Sequence, residues 1–476
     1  MKILRNYFYN VGYQILNMIL PLITGPYVAR VLGPSGVGIN TYTGAVIQYF
    51  VLFGGLGIAL YGNRQIAYVR NDSHKLSVTF WEIQSIKIVT VSIAFIFFLI
   101  YLAFVHEYRV YLILQSMYIV ATGFDISWLY EGVEDFKKTF TRNTLVRLIS
   151  LILILLLVRS KNDVWLYIFI LAISNLGGYM ALWPTLKTLV SKVSIKEIHP
   201  LKHLNGIIGL FIPFMALNIY PAINKTLLKA FVGIDSSGYY EKSDVMIRMV
   251  LTLVTAISAV LLPHTSQAYS ENKINLIKEL LKKSFSYVSM LSFPIAFGMA
   301  AVAPKFGLFF YGPGFGPVGV AMFIESFAII FMGWSSTTGN QYLIPTRQNK
   351  HYSYSVLLGS VLNIILDIPF IYLFRLNGAS LATVISEGII AGYQLFVIGK
   401  QVNMRGWIKD IFKYLLASVV LFGVVFVISN WLTMTILHLF VEILIGIVLY
   451  GVSLVILKPS TLEQTVTTIR HVLIKK

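Results

Sequence analysis

FYNVGYQILNMILPLITGPYVARV, residues 8–31, decides how this chain folds. Its single charge, Arg30, stands near the far end, and the run meets the ~20 mostly apolar residues that carry a helix across a bilayer. The basic start, MKILRNYFYN, resembles the front of a signal peptide. The apolar run is too long for a signal core, however, and no clear small-residue cleavage site follows it. The segment is therefore expected to stay as a first membrane helix.

The same kind of run recurs outward from it, near 40–62, 79–104, 109–130, 143–158 and 164–186. After a basic stretch ending near His203, runs resume near 205–232, 240–263, 284–304, 318–339, 353–374, 379–399, 410–429 and 433–457. The expected fold is an all-α polytopic membrane protein of about fourteen transmembrane helices. Composition agrees: soluble domains carry roughly 25% charged residues, whereas this chain has 12% charged and 57% hydrophobic residues and a mean hydropathy of +0.75.

The net charge of +18 does not point to nucleic acid, which needs a basic face on a soluble domain; here Lys and Arg fill short gaps between apolar runs. Of the 38, about 25 fall in one set of loops and tails, about 7 in the opposite loops and about 6 within helices, and positive residues mark the cytoplasmic side. Both termini are expected in the cytoplasm and the chain in the plasma membrane. There is no cysteine, which removes disulfides, thiol catalysis and Cys-ligated metal; no metal site or cofactor is expected. The longest gap between runs, on the order of 20 residues, is too short for a separate domain.

VLGPSGVGIN from Val31 lies over FVGIDSSGYY from Phe231 at an offset of 200, with Gly33 over Gly233, Gly38 over Gly238 and Pro21 over Pro221. An even number of helices separates the copies, so both keep one orientation, with a symmetry axis along the membrane normal. The organisation expected is two pseudo-symmetric six-helix lobes, 1–200 and 201–402, followed by two C-terminal helices and a cytoplasmic tail in 403–476.

Gln14, Asn17 and Thr24 form a polar stripe on the first helix, repeated on the seventh by Asn218 beside Lys225 and Lys229. Amides and hydroxyls also bind helices to one another. A cation inside a span usually faces a partner or a wet cavity, and Lys225 lies about two turns from the outer end, where reaching the interface is strained. Arg30, Lys87, Arg147, Lys229 and Arg248 sit nearer helix ends; if all six converge they make a cationic lumen suited to phosphate. Among the spans' carboxylates, Asp125, Glu325, Asp367, Glu387 and Glu442, Asp367 with Asn363 one turn earlier, and Glu387, are candidates for a coupling Na+ or H+. Asp125 with Trp128 and Tyr130 offers a sugar contact, although rings at that depth are most often interfacial.

The segments PYVARVLGPSGVG (from Pro26), FDISWLYEGVEDFKK (from Phe124), VGIDSSGYYEKSD (from Val232), NQYLIPTRQNKHY (from Asn340) and NGASLATVISE (from Asn377) resemble the polysaccharide-transporter branch of the multidrug/oligosaccharidyl-lipid/polysaccharide exporter superfamily, the Wzx-type flippases. The resemblance implies two six-helix lobes around a central cavity, two extra helices, and alternating access. It implies no enzymatic activity. The implied cargo is an oligosaccharide on undecaprenyl diphosphate, of capsule, other surface-polysaccharide or teichoic acid type, moved from the inner to the outer leaflet. Implied partners are membrane lipid and the polymerase or glycosyltransferases that share the carrier. A multidrug antiporter of the same superfamily is the nearest alternative, and a membrane-embedded polymerase a more distant one.

Overall fold

The computed structural model describes residues 2–460, with side chains from 19 to 460 apart from that of Arg405; Gln14 and Asn17 therefore lie outside the described side chains. Among the described residues there is no strand. The helices are α1 (2–32), α2 in two pieces, 34–55 and Ile58–Val69, and α3 (Ser73–Phe104). Next comes α4, in three pieces, Arg109–Gln115, Met117–Phe124 and Ser127–Gly132. It is followed by α5 (Phe136–Leu157), α6 (Val164–Met180) and α7 (Leu204–Phe231). The second half holds α8 (Ile234–Ser270), α9 (Ile274–Tyr311), and α10, which joins Gly316–Glu325 and Ala328–Ser335 to a π-helical Ser336–Leu343. It ends with α11 (Asn349–Phe374), α12 (Leu376–Gly399), α13 (Arg405–Trp431) and α14 (Ile436–Leu457).

Twelve stretches are long and apolar enough to cross a membrane, and the two parts of α10, bent by 45°, make a thirteenth. The first stretch, Ile19–Val69, has 51 residues, about 77 Å at 1.5 Å per residue, against a hydrocarbon core of about 30 Å. It is interrupted at Gly33 (φ 71°), and α1 ahead of the break, about 46 Å long from residue 2 to 32, has the length for a crossing of its own, which brings the described candidates to fourteen. The sequence reading starts α5 at 143, whereas the helix begins at Phe136. Lys137, Lys138 and Arg142 lie in its first turns and read as a loop because they are charged.

Burial is inverted relative to a soluble helix. On α3, Glu82, Gln84 and Lys87 are buried, while Ile88, Val89, Ile93, Ile96 and Phe97 are exposed. That is the pattern of a helix whose outer face meets lipid and whose polar groups must find partners inside. Its first turn is capped by Asp72, which accepts the N–H of Lys75 (3.0 Å) and of His74 (3.1 Å); these donors, Lys75 first, hold the Asp72 carboxyl below its ordinary range.

The chain forms two compact units, 1–238 and 239–476. In the second, α13 and α14 pack against α9. Lys305 of α9 caps the end of α13 by donating to the carbonyls of Ser429 (2.6 Å), Asn430 (2.8 Å) and Leu432 (2.9 Å), the end of a helix that favours a cation. Tyr450 of α14 donates to the Met290 carbonyl at 2.7 Å.

In the first unit, α7 packs on α2, with the Tyr49 and Thr226 hydroxyls 2.8 Å apart and Phe53 against Phe211, and the two repeat-related turns meet. Gly33 and Gly233 both have positive φ, 71° and 132°. Beyond them, Ser35 Oγ donates to Asp235 Oδ1 at 2.7 Å. A Cβ on Gly38 would stand 2.2 Å from the Ile234 carbonyl oxygen, and one on Gly238 would stand 2.9 Å from the Gly38 nitrogen. Residues 200 apart are thus neighbours, as a local two-fold between the turns requires. Gly38→Ala should lower stability in detergent by about 1–3 kcal/mol through overpacking, visible as a fall in Tm. Gly209→Ala on α7, where a Cβ meets nothing within 4 Å, should leave Tm unchanged or slightly raised.

Candidate functional site

The sequence FDISWLYEG breaks a helix inside the membrane. After Phe124 the backbone turns extended at Asp125 (ψ 106°) before helix resumes at Ser127. A helix end leaves carbonyls without donors, and hydrocarbon supplies none. Side chains supply them instead: Gln84 Nε2 donates to Gly123 O at 2.8 Å, Trp183 Nε1 to Phe124 O at 2.8 Å and Lys87 Nζ to Asp125 O at 2.6 Å. The Asp125 carboxylate accepts the backbone N–H and hydroxyl of Ser127 at 2.9 and 2.6 Å, starting the next piece, and lies 3.8 Å from Lys87 Nζ.

Several residues read from sequence as site candidates thereby have structural work. Lys87 and Asp125 hold the break. Trp128 is fully buried, stacked on Phe80 with centroids 5.4 Å apart and planes at 20°, and its ring closes on Gly62. Tyr130, also fully buried, donates to the Leu182 carbonyl at 2.9 Å and pairs with the Thr185 hydroxyl at 2.6 Å. The sugar contact expected of these rings is corrected to a core role, because neither presents a face to a ligand.

Within their own units the six basic candidates meet different surroundings. Lys229 pairs with Glu107, its ammonium 5.2 Å from the centroid of Tyr42 and 5.6 Å from that of Tyr108. Arg248 Nε reaches both carboxylate oxygens of Asp244, one turn earlier, at 2.8 Å. Lys225 is half-buried on α7, its carbonyl accepting the Ser237 hydroxyl, and Arg30 is exposed on α1. Asn218 donates to Phe214 O at 2.7 Å.

Arg147 and Thr24 do share a site. They line a polar cavity of 520 Å³ inside the first unit, walled by α1, α4, α5 and α6. Tyr118, Ser127 and Glu131 of α4 face it, with Arg142, Asn143 and Ser150 of α5 and Tyr167, Asn175 and Tyr179 of α6. Thr24 bonds its own helix at Leu20 O, 2.9 Å, and Glu131 accepts from Asn63 Nδ2 at 3.3 Å. The Arg142 guanidinium lies 4.7 Å from the Tyr179 ring centroid. The chemistry offered is cationic and amide-rich with aromatic faces, suited to an anion joined to hydroxyls. The signal was present in sequence: Asn143, Arg147 and Ser150 recur at helical spacing.

The second unit buries several carboxylates. Glu325 of α10 is buried and accepts one hydroxyl on each oxygen, Ser243 of α8 at 2.5 Å and Ser380 of α12 at 2.9 Å. Tyr240 pairs with Thr383 at 2.8 Å. Asn363 and Asp367, one turn apart on α11, are fully buried, and Glu387 of α12 is buried. No cluster able to hold a metal ion occurs among the described residues.

Comparisons with known proteins bear on this arrangement. The family described as "Polysaccharide biosynthesis protein" matches residues 3–269. A curated relative from Escherichia coli (strain K12), named "Putative O-antigen transporter", is 24% identical over 399 residues, covering 83% of this chain and 96% of its own. A solved structure of the lipid II flippase MurJ, in an inward closed conformation, superposes with a TM-score of 0.73 at 18% identity, covering 94% of this chain and 98% of that one. An inward-facing multidrug resistance MATE family transporter superposes with a TM-score of 0.59 at 15% identity, covering 83% of this chain and 97% of that one. At these identities the structures establish the fold, and they agree with the expected all-α polytopic membrane architecture. These relatives are named as transporters or a flippase, in keeping with a chain that is not an enzyme.

Trp128→Ala should destabilise the purified protein by about 3–5 kcal/mol, read as a large loss of Tm and yield, whereas a ligand-contacting ring would lose binding with Tm preserved.

Proposed function

Since the chain belongs to the polysaccharide biosynthesis protein family, we propose that it translocates a saccharide linked to a polyprenyl diphosphate from the inner to the outer leaflet of the plasma membrane by alternating access. The observation that carries this reading is the cavity of the first unit, where Arg142 and Arg147 accompany Tyr and Asn side chains. Phosphate calls for fixed cations, and sugar hydroxyls call for amides and ring faces. The prenyl chain can stay in lipid throughout, so only the head needs a polar route.

The O-antigen name of the relative and the flippase fold support a lipid-linked cargo; the saccharide belongs to a capsule, surface polysaccharide or teichoic acid repeat unit. The enzymes that build and polymerise that unit are the natural partners, because they share its carrier. The distribution of Lys and Arg supports cytoplasmic termini, which puts the basic connections at the leaflet where the cargo is made. The drug-antiporter alternative is less well supported, because the flippase structure spans more of the chain than the multidrug structure does. The cavity is also basic, which suits an anion better than a cationic drug.

Lys225 and Arg30 complete the proposed phosphate path, and Asp367, Asn363 and Glu387 the proposed coupling site for Na+ or H+. A carboxylate and an amide one turn apart in a buried helix can ligate a cation that a protonated or neutral substitute cannot.

Reconstituted into liposomes with a lipid-linked oligosaccharide, the protein should move it across the bilayer. Lys225→Ala should slow translocation roughly tenfold or more, as loss of a charge-assisted contact implies, with Tm near wild type; undiminished transport would remove Lys225 from the path. Asp367→Asn should abolish the response to a sodium or proton gradient, and a retained response would move coupling elsewhere.

A further inference from the structure

Beside the polar cavity, on the outer face of the first unit, runs an apolar groove of 780 Å³ between α5 and α6. Its floor is the small-residue face of α6, Ser174, Gly177, Gly178 and Ala181, and its wall is Leu145, Val146 and Ile149 of α5. Leu145 and Ile149 are exposed, so the groove opens to lipid. At one end stand Lys137, Lys138 and Arg142.

Groove and cavity share Arg142, Val146 and Gly178. The wall between an apolar exterior slot and a polar interior chamber is therefore a few side chains thick, and one of them is a cation. Glu131 faces the same cavity and attracts Arg142 electrostatically without a close ion pair; the Arg142 Nε is buried and has no hydrogen-bond partner, and the Tyr179 ring is its close neighbour. Lys138 is held by Asp135 at 3.5 Å. A buried guanidinium atom without an acceptor is costly unless a ligand supplies one.

We propose that this face is a binding site for the cargo itself, in three parts: the lipid chain in the α5–α6 groove, the phosphate on Arg142 with Lys137 at the mouth, and the first sugar in the cavity against Asn143 and Asn175. The proposal rests on the flippase reading and locates where the first unit holds that substrate. Volume and chemistry favour this occupant over an ordinary anionic phospholipid. A phospholipid uses the groove and Arg142 but leaves a 520 Å³ chamber of Asn and Tyr side chains with nothing to bind. The planar guanidinium suits phosphate oxygens bidentately.

The test uses the full chain in phosphatidylcholine nanodiscs and three probes: undecaprenyl diphosphate bearing one N-acetylglucosamine, undecaprenyl diphosphate without sugar, and phosphatidylglycerol. Arg142→Ala should weaken both undecaprenyl probes roughly 10- to 100-fold, the loss expected for a charged hydrogen-bonded contact, and Arg142→Lys less. Gly177→Leu fills the groove at a position where a Cβ meets nothing within 4 Å, so it should fold with wild-type Tm and weaken both undecaprenyl probes. Asn175→Ala should weaken the sugar-bearing probe alone. Wild-type affinity for both undecaprenyl probes in folded Arg142→Lys and Gly177→Leu would overturn the proposal. So would phosphatidylglycerol binding as tightly as the sugar-bearing probe with Asn175→Ala silent, which would mark a phospholipid site. Translocation by the wild type is measured separately: if it moves cargo while these variants bind normally, this site falls and the flippase reading stands. If it moves none, that reading falls whatever the binding pattern.

Discussion

A backbone carbonyl in hydrocarbon must find a donor or cost several kcal/mol, and the first unit is arranged around one place where three lose theirs together. At 123–125 the broken α4 receives Gln84 and Lys87 from α3 and Trp183 from beyond α6. Those contacts fix α3, α4 and α6 against one another. They also turn the last piece of α4 so that Ser127 and Glu131 reach the cavity. With Tyr118 ahead of the break, these residues make the α4 side of the interior chamber, opposite α5 and α6.

The same constraint explains what the sequence disclosed and what it hid. Helix existence was legible, because nothing but a span keeps so many apolar residues together, and Gly33 and Gly233 announced turns that only glycine adopts easily. The start of α5 was not, since a basic first turn looks like a loop until the helix is seen to continue through it. Lys87 drew notice as a possible ligand group because its partner carbonyl lies 38 residues away, a pairing no local pattern reveals. Trp128 and Tyr130 misled in the same way: an aromatic pair at a helix end reads as an interfacial or ligand-stacking feature, and only packing shows that Phe80, Gly62 and Thr185 enclose it. Arg142 and its neighbours were scattered over four helices, so their convergence depended on tertiary structure, although the spacing on α5 carried a trace of it.

The polar cavity of the first unit and the buried carboxylates of the second differ in character. In the first, cations face a polar chamber and an apolar groove; in the second, Glu325, Asp367 and Glu387 are buried among hydroxyls and amides. A substrate with a phosphate and a coupling cation make opposite electrostatic demands, and one low-dielectric pocket meets both poorly. Under the proposed function, separate placement lets the phosphate and the coupling cation each meet its own sign. It also means that intramembrane charge is a poor guide to substrate contact by itself, since Lys87, Lys229 and Arg248 are all matched by nearby acceptors.

The most direct measurement follows two solutes in one preparation: proteoliposomes loaded with a fluorescent undecaprenyl diphosphate oligosaccharide and, separately, with a cationic dye, each monitored by an impermeant quencher. Protein-dependent movement of the lipid-linked saccharide with no protein-dependent dye flux is the predicted result. Dye exchange across the membrane while the saccharide moves no faster than in protein-free liposomes would contradict it.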